Sequence, residues 1–481
     1  MTGIDPPRPE AAREPGMLLF APGTAPDAAA VGDGALLGAL LEAEVGWLGA
    51  QADLGLVPQE TAAEVVAALG EPADYPLGDI AADAASGGNP VIPFLAHARE
   101  RVTGLPAAGA LHRGLTSQDV MDTAMMLLLA RTAAQVRSRL DGVIGAVADL
   151  ARTHRSMPCL AHTLTQAALP TTAGLRFAHW ARSLAEARDA LAGRMPTVQL
   201  GGAAGTRAAL GEMARATTGT GSARATGASA VDAPAAGEDF EAAWAARLGL
   251  VPAGHPWHVD RLRVLEWAQA LAAVSLTGQR IARDVLTGAR PEVGELREAD
   301  GGGSSAMPQK SNPTVSVLLS RTGQEAPGLL ATVAQAVGQA VDERPDGAWH
   351  AEWTALARLQ LGALTSARLL ADLLDRVVVD VGAMRAHLEA AGPGVVSERL
   401  VHALAPDVTA AQIAEALGGA TGAADAHARL AAAVPAARRA ELPALLDPTG
   451  YTGEAAGLVD GLLAAIDRFS TVEDSSEGRD S

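Results

Sequence analysis

The sequence predicts an all-α fold, and three observations carry that reading. Ala, Leu and Val dominate long stretches without proline, which is the composition of close-packed helices. Apolar residues recur at helical spacing in several of those stretches. Aromatic residues make up 3% of the chain, so strands have little to be built from. An apolar fraction of 48% is ample for a buried core, and 481 residues fit two or three domains.

Taken in order, Met1 to Pro15 is polar and proline-rich without an apolar core segment, so no signal peptide is expected. Gly34 to Ala50 and Gln59 to Gly70 repeat apolar residues at helical spacing and predict a small N-terminal unit ending near Pro106. Ser117 is an N-cap candidate with Asp119 in the first turn, and a proline-free pattern then runs to Arg155 as one very long helix. Further long patterns run from Pro170 to about Arg194, from Val259 to Arg290, and from Pro313 to about Ala340, the last with Pro327 as a kink. Several of these are apolar nearly all round, so a helical bundle that oligomerises is expected. Met213 to Gly237 turns to Ala, Thr, Gly and Ser and predicts a surface insertion. Shorter helices are expected from about Thr365, and disorder in the acidic stretch from Thr471. The expected domains are 1–110, 111–360 and 361–481, with the long helices in the middle one.

A net charge of −18 argues against nucleic acid or an anionic membrane as partner, since both need an extended basic surface. An anionic substrate must then be held by a few local cations. One cysteine, Cys159, excludes an intrachain disulfide and a multi-cysteine metal site and fits a reducing cytoplasm. No uncharged apolar run approaches the ~18 residues of a membrane span, so a soluble protein is expected.

The chain has a single lysine, Lys310, in the run Gly301-Gly302-Gly303-Ser304-Ser305-Ala306-Met307-Pro308-Gln309-Lys310-Ser311-Asn312-Pro313. Every other permanently basic side chain is Arg, and a lysine kept here supplies a compact charge on a flexible stem rather than a planar fork. Three glycines allow backbone conformations closed to other residues, and successive N–H groups in such a loop can form an anion-binding concavity. This reads as a mobile loop that closes over a carboxylate. Two further polar constellations sit at helix boundaries. His112-Arg113-Gly114-Leu115-Thr116-Ser117-Gln118-Asp119 precedes the long helix, where the Thr116 and Ser117 hydroxyls serve either as a plain cap or as an anion site. Thr163-Leu164-Thr165-Gln166-Ala167-Ala168-Leu169-Pro170 is a polar approach to another helix.

Together these segments resemble the signature regions of the fumarase/aspartase superfamily, with Ser304 to Pro313 closely matching its best-known motif. The chain looks most like the 3-carboxy-cis,cis-muconate cycloisomerase branch, through His112 to Ala124, Gln199 to Thr206, Pro256-Trp257-His258, Ala348 to Trp353 and Leu446 to Gly453. The resemblance implies a three-domain, all-helical subunit in a homotetramer around a central long-helix bundle, with each active site drawn from three subunits. It implies anti addition or elimination beside the carboxylate of a small dicarboxylate, with no metal or organic cofactor. Carried over by position, Ser304 is the base, and Lys310 and Asn312 hold the carboxylate whose charge grows as the proton leaves. Asn89, His112, Thr116, Ser117 and Gln166 stand as substrate-binding candidates.

The sequence departs from the branch at several points. A histidine usual in the second region falls on Ala167, and His162 and His112 do not occupy its position. Arg113 and Arg207 stand where neutral residues are usual, which makes them candidates for a relocated set of substrate-binding cations, and Ser311 replaces an arginine. A missing histidine acid matters least when the leaving group departs as a stable anion. The branch includes nitrosuccinate lyases, which release nitrite and fumarate in pathways supplying nitrogen for diazo and hydrazine natural products, and the chain looks like one of those. The alternative is lactonisation of 3-carboxymuconate.

Overall fold

The computed structural model describes residues 17–217 and 234–477. Most of the segment expected as an insertion, and the N-terminal stretch before Met17, lie outside the described residues. The chain forms two compact units. The first is built from residues up to Ser138, Asp189–Leu276 and Thr322–Ser366; the second from Arg139–Arg188, Thr277–Arg321 and the chain from Ala367 onward. The long helices Ser117–Thr153, Ala173–Ala192, Leu262–Gly288, Thr314–Gly338 and Gly347–Leu374 each contribute residues to both.

In the first unit the helix Asp33–Asp53 buries Leu37, Leu40, Leu41, Trp47 and Leu48. It packs on the helix Pro234–Leu248, with Trp47 edge-on to Trp244 at 5.3 Å and tilted against Phe240 at 5.6 Å. The Trp244 indole N–H donates to the Ala43 carbonyl at 2.9 Å, so its polar edge is satisfied inside the core. Gly46 sits at this crossing, where a Cβ would come within 2.6 Å of Leu248. Helices Gln59–Leu69, Leu77–Gly87 and Val91–Arg101 complete the N-terminal part.

In the second unit the expected helix from Pro170 begins later, at Ala173. Residues Pro158–Thr163 and Gln166–Thr172 instead pair as an antiparallel hairpin, Pro158 opposite Thr172 and Thr163 opposite Gln166. Its turn places Leu164 and Thr165 at φ of 48° and 70°. Such two-residue turns usually signal themselves with Asn-Gly or Asp-Gly, and here that signal is missing. A second short pairing joins Leu296–Glu298 to Val377–Val379. The helix Thr314–Gly338 runs on through Pro327, which removes one ladder hydrogen bond without ending it. The helix Gly347–Leu374 extends past Thr365, where shorter elements were expected; Thr365 is buried inside it. Beyond it, short helices enclose a core of Leu388, Val396, Leu400, Leu404, Ile413 and Leu430. Where disorder was expected from Thr471, the helix Ala455–Glu477 continues, because extending an existing helix fixes one residue per added hydrogen bond. Among the described residues no helix is long and apolar enough to cross a membrane.

Candidate active site

In the first unit, the segment before the long helix is held from beneath by buried carboxylates. His112 takes a left-handed backbone at φ 57°. Glu44, fully buried, accepts from the His112 backbone N–H at 3.0 Å and meets its Nδ1 at 2.6 Å. Arg113 donates from Nε to Gln51 at 3.0 Å, while its carbonyl accepts from the Trp47 indole. Burial pushes the Arg113 guanidinium below its ordinary pKa. Thr116 and Ser117 are half-buried at the helix start.

Asp119 is the organising group. Its Oδ2 accepts from the backbone N–H groups of Thr116 at 2.9 Å and Gly202 at 3.0 Å; its Oδ1 accepts from Gly201 N–H at 2.8 Å and meets His258 Nε2 at 2.8 Å. One buried carboxylate therefore ties the helix start to the 201–207 turn and to His258. Gln118 adds a bond from its amide to the His258 carbonyl at 3.0 Å. Gly201 must be glycine because a Cβ there would come within 2.5 Å of the His258 ring. One turn further along the helix, Asp122 accepts from Arg261 Nη1 at 2.6 Å and from the Trp349 indole at 2.9 Å, and Arg261 also reaches Glu352 at 2.5 Å. One buried cation faces two carboxylates here. Burial, with Asp122 nearby, accordingly raises the Glu352 pKa against the pull of Arg261.

The other candidates of this unit have local partners. Arg207, at φ 53°, donates from Nε to the Leu200 carbonyl at 2.9 Å and from Nη2 to the buried Glu241 at 2.8 Å. Its fork is thus spent on pinning the 201–207 turn. Asn89 stands two residues before the helix Val91–Arg101 begins, accepting from Val91 N–H and donating to the Gly87 carbonyl, each at 3.1 Å. Arg344, which drew no attention in the sequence, donates to the Thr116 hydroxyl at 2.6 Å and to the Ala203 carbonyl at 3.2 Å.

In the second unit, the lysine loop has a zipped neck. Gly302 and Asn312 exchange backbone bonds at 2.8 and 2.9 Å, and the Asn312 side-chain amide donates to the Gly303 carbonyl at 3.1 Å. The glycines serve a different purpose from the one expected. None of Gly301, Gly302 and Gly303 has a positive φ. Instead a Cβ on Gly301 or Gly302 would collide with Ser311 or Thr314 across the neck. The half-buried Ser304 turns its Oγ to the backbone N–H groups of Ala306 at 3.4 Å and Met307 at 3.2 Å, and Lys310 is exposed on the same loop. Just beyond, Glu298 caps the helix Thr314–Gly338, accepting from Val315 N–H, Ser316 N–H and the Ser316 hydroxyl at 3.2, 2.8 and 2.7 Å. A buried carboxylate at a helix N-terminus is favoured by the free N–H groups and the dipole. Gln166 opens the second hairpin strand and is exposed there.

Sequence reasoning passed over Asp119, Glu298, Glu44 and Arg344 as functional groups. Asp119 lay inside a quoted motif, and a carboxylate three residues after a Thr at a helix start is the signal for a reciprocal cap. The other three depend on long-range contacts and leave no local mark.

A helical chain whose serine–lysine loop is pinched at a glycine neck, and whose longest helix starts at a carboxylate-braced Thr-Ser, is a lyase of the fumarase/aspartase superfamily. A family model described as lyase matches residues 40–328, and the chain belongs to that family. It is 39% identical over 463 residues to a nitrosuccinate lyase of Streptomyces davaonensis, covering 92% of this chain and 93% of that protein. It is 32% identical over 461 residues to a 3-carboxy-cis,cis-muconate cycloisomerase of Bradyrhizobium diazoefficiens, covering 92% and 96%. The crystal structure of the 3-carboxy-cis,cis-muconate lactonizing enzyme from Pseudomonas putida superposes with a TM-score of 0.77 at 29% identity, covering 90% of this chain and 95% of that one.

Proposed function

We propose that this lyase eliminates nitrous acid from nitrosuccinate to give fumarate and nitrite, as a cytoplasmic homotetramer whose active sites combine segments of several subunits. Ser304 takes the proton from the carbon beside one carboxylate. Lys310 and Asn312 hold that carboxylate as it becomes an aci-carboxylate dianion. The electron pair forms the double bond as the neighbouring C–N bond breaks, and nitrite leaves with its own pair. Thr116 and Ser117 hold the other end of the substrate.

The observation that carries this reading is the setting of Ser304. A serine alkoxide is high in energy in water, and two backbone N–H groups directed at Oγ, with the chain's one lysine on the same loop, are the donors that lower it. Ala167 in place of the usual histidine supports a leaving group that needs no proton. Identity to a nitrosuccinate lyase supports the choice of nitro group. The identity to cycloisomerases favours a second reading, in which Ser304 delivers a proton to carbon during lactonisation.

The test follows nitrite and fumarate release from nitrosuccinate alongside 3-carboxymuconate consumption. Equal nitrite and fumarate are expected, with Ser304→Ala losing at least ~10²-fold in kcat and binding fumarate as before. Full activity in that variant would sink the mechanism, and muconate loss without nitrite would move the enzyme to lactonisation.

A further inference from the structure

Three arginines lie around the start of the long helix, and their partners and exposure separate them. Arg113 is turned to Gln51, and Arg207 is committed to the buried Glu241. Arg113 also meets a neutral oxygen but is half-buried, so Arg344 differs from Arg207 in its partners and from Arg113 in its exposure. Its partners are the Thr116 hydroxyl at 2.6 Å and the Ala203 carbonyl at 3.2 Å, both neutral oxygens, and among the described residues no carboxylate lies within ion-pair distance of it. It is exposed, on the loop between the helices Thr314–Gly338 and Gly347–Leu374. Two residues earlier Asp342 is held at φ 51°, a conformation a non-glycine residue adopts at some cost. The Thr116 N–H is already taken by Asp119. What remains is a hydroxyl and a guanidinium fork side by side, the fork without an ion-pair partner among the described residues.

We propose that Arg344, with the Thr116 hydroxyl, binds the substrate carboxylate remote from the proton that Ser304 removes. The assignment rests on the reading of the substrate as a four-carbon dicarboxylate. A planar fork meets a carboxylate through two parallel N–H···O bonds, and exchanging neutral partners for an anion requires no ion pair to be broken first. Because the contact is made equally in the ground and transition states, its loss appears in KM rather than in kcat.

The experiment compares wild type, Arg344→Gln and Arg344→Lys in steady-state nitrite release and in fumarate binding by calorimetry. Thermal melting and subunit number serve as controls. Arg344→Gln is expected to raise both KM and the fumarate Kd by about 10- to 100-fold, as for loss of a charged hydrogen bond, with kcat within about threefold. Arg344→Lys should fall between, since it keeps the charge and loses the fork. KM and fumarate Kd both within about twofold of wild type in Arg344→Gln would overturn the assignment. Wild type that binds fumarate through Arg344 but releases no nitrite would overturn the nitrosuccinate reading and leave the assignment standing. Wild type that binds neither fumarate nor succinate would overturn both.

Discussion

Replacing Asp119 by Asn changes one buried atom, and the geometry sets what that costs. Each carboxylate oxygen of Asp119 serves a pair of donors: Gly201 N–H and His258 Nε2 on one, Thr116 N–H and Gly202 N–H on the other. Asn keeps one oxygen and presents an NH2 group in place of the other; turned toward His258, whose Nε2 can accept it in the other tautomer, it leaves the Gly201 N–H without an acceptor in a fully buried position. A buried donor left unmade costs about 1–3 kcal/mol. That is a large share of the ~5–15 kcal/mol by which domains are stable. Equilibrium urea denaturation at fixed protein concentration, followed by tryptophan fluorescence, reads the loss. At permissive temperature the folded variant should also show a raised KM, because the brace that sets the Thr116 hydroxyl and the 201–207 turn is weakened. A loss below about 1 kcal/mol together with an unchanged KM would refute the idea that this carboxylate organises the helix start.

Arg207→Ala should act on stability, costing about 3 kcal/mol by leaving Glu241 buried without its cation; a raised KM at unchanged stability would instead return Arg207 to the substrate. Burial pushes the Cys159 thiol up to about 11, so at pH 8 about one native thiol in a thousand is thiolate. Iodoacetamide should therefore leave the native protein unlabelled at pH 8 and label it fully in urea, with native labelling rising as pH approaches 11; rapid labelling of the folded protein at pH 8 would contradict that environment.

Much of this protein could be read along the chain. The helices from Asp33, Gln59, Ser117, Leu262 and Thr314 follow from apolar spacing, proline-free runs and capping residues, all of which act between residues a few positions apart. The superfamily could be read as well, because the matching motif is one short run, Ser304 to Pro313, that includes Lys310 and Asn312. Other features followed from residues distant in sequence. The hairpin over 158–172 has a turn of Leu164 and Thr165, whose left-handed backbone no local preference predicts. The glycines of the lysine loop were read as supplying special backbone conformations, yet the need at Gly301 and Gly302 arises from Ser311 and Thr314 lying across the neck.

The sequence by itself determined which chemistry is present: a serine, a lysine and an asparagine on one loop, in a chain with no other lysine and a strong negative charge. Tertiary structure alone decided which charges remain available. Arg113, Arg207 and Arg344 are the same residue type in sequence, and what distinguishes them is a partner in three dimensions: Gln51 for the first, Glu241 for the second and a neutral hydroxyl for the third. The physical reason is that a cation's usefulness depends on whether a carboxylate already neutralises it, as Glu241 does Arg207, or burial beside a neutral partner withdraws it, as for Arg113, and those partners come from elements far away along the chain.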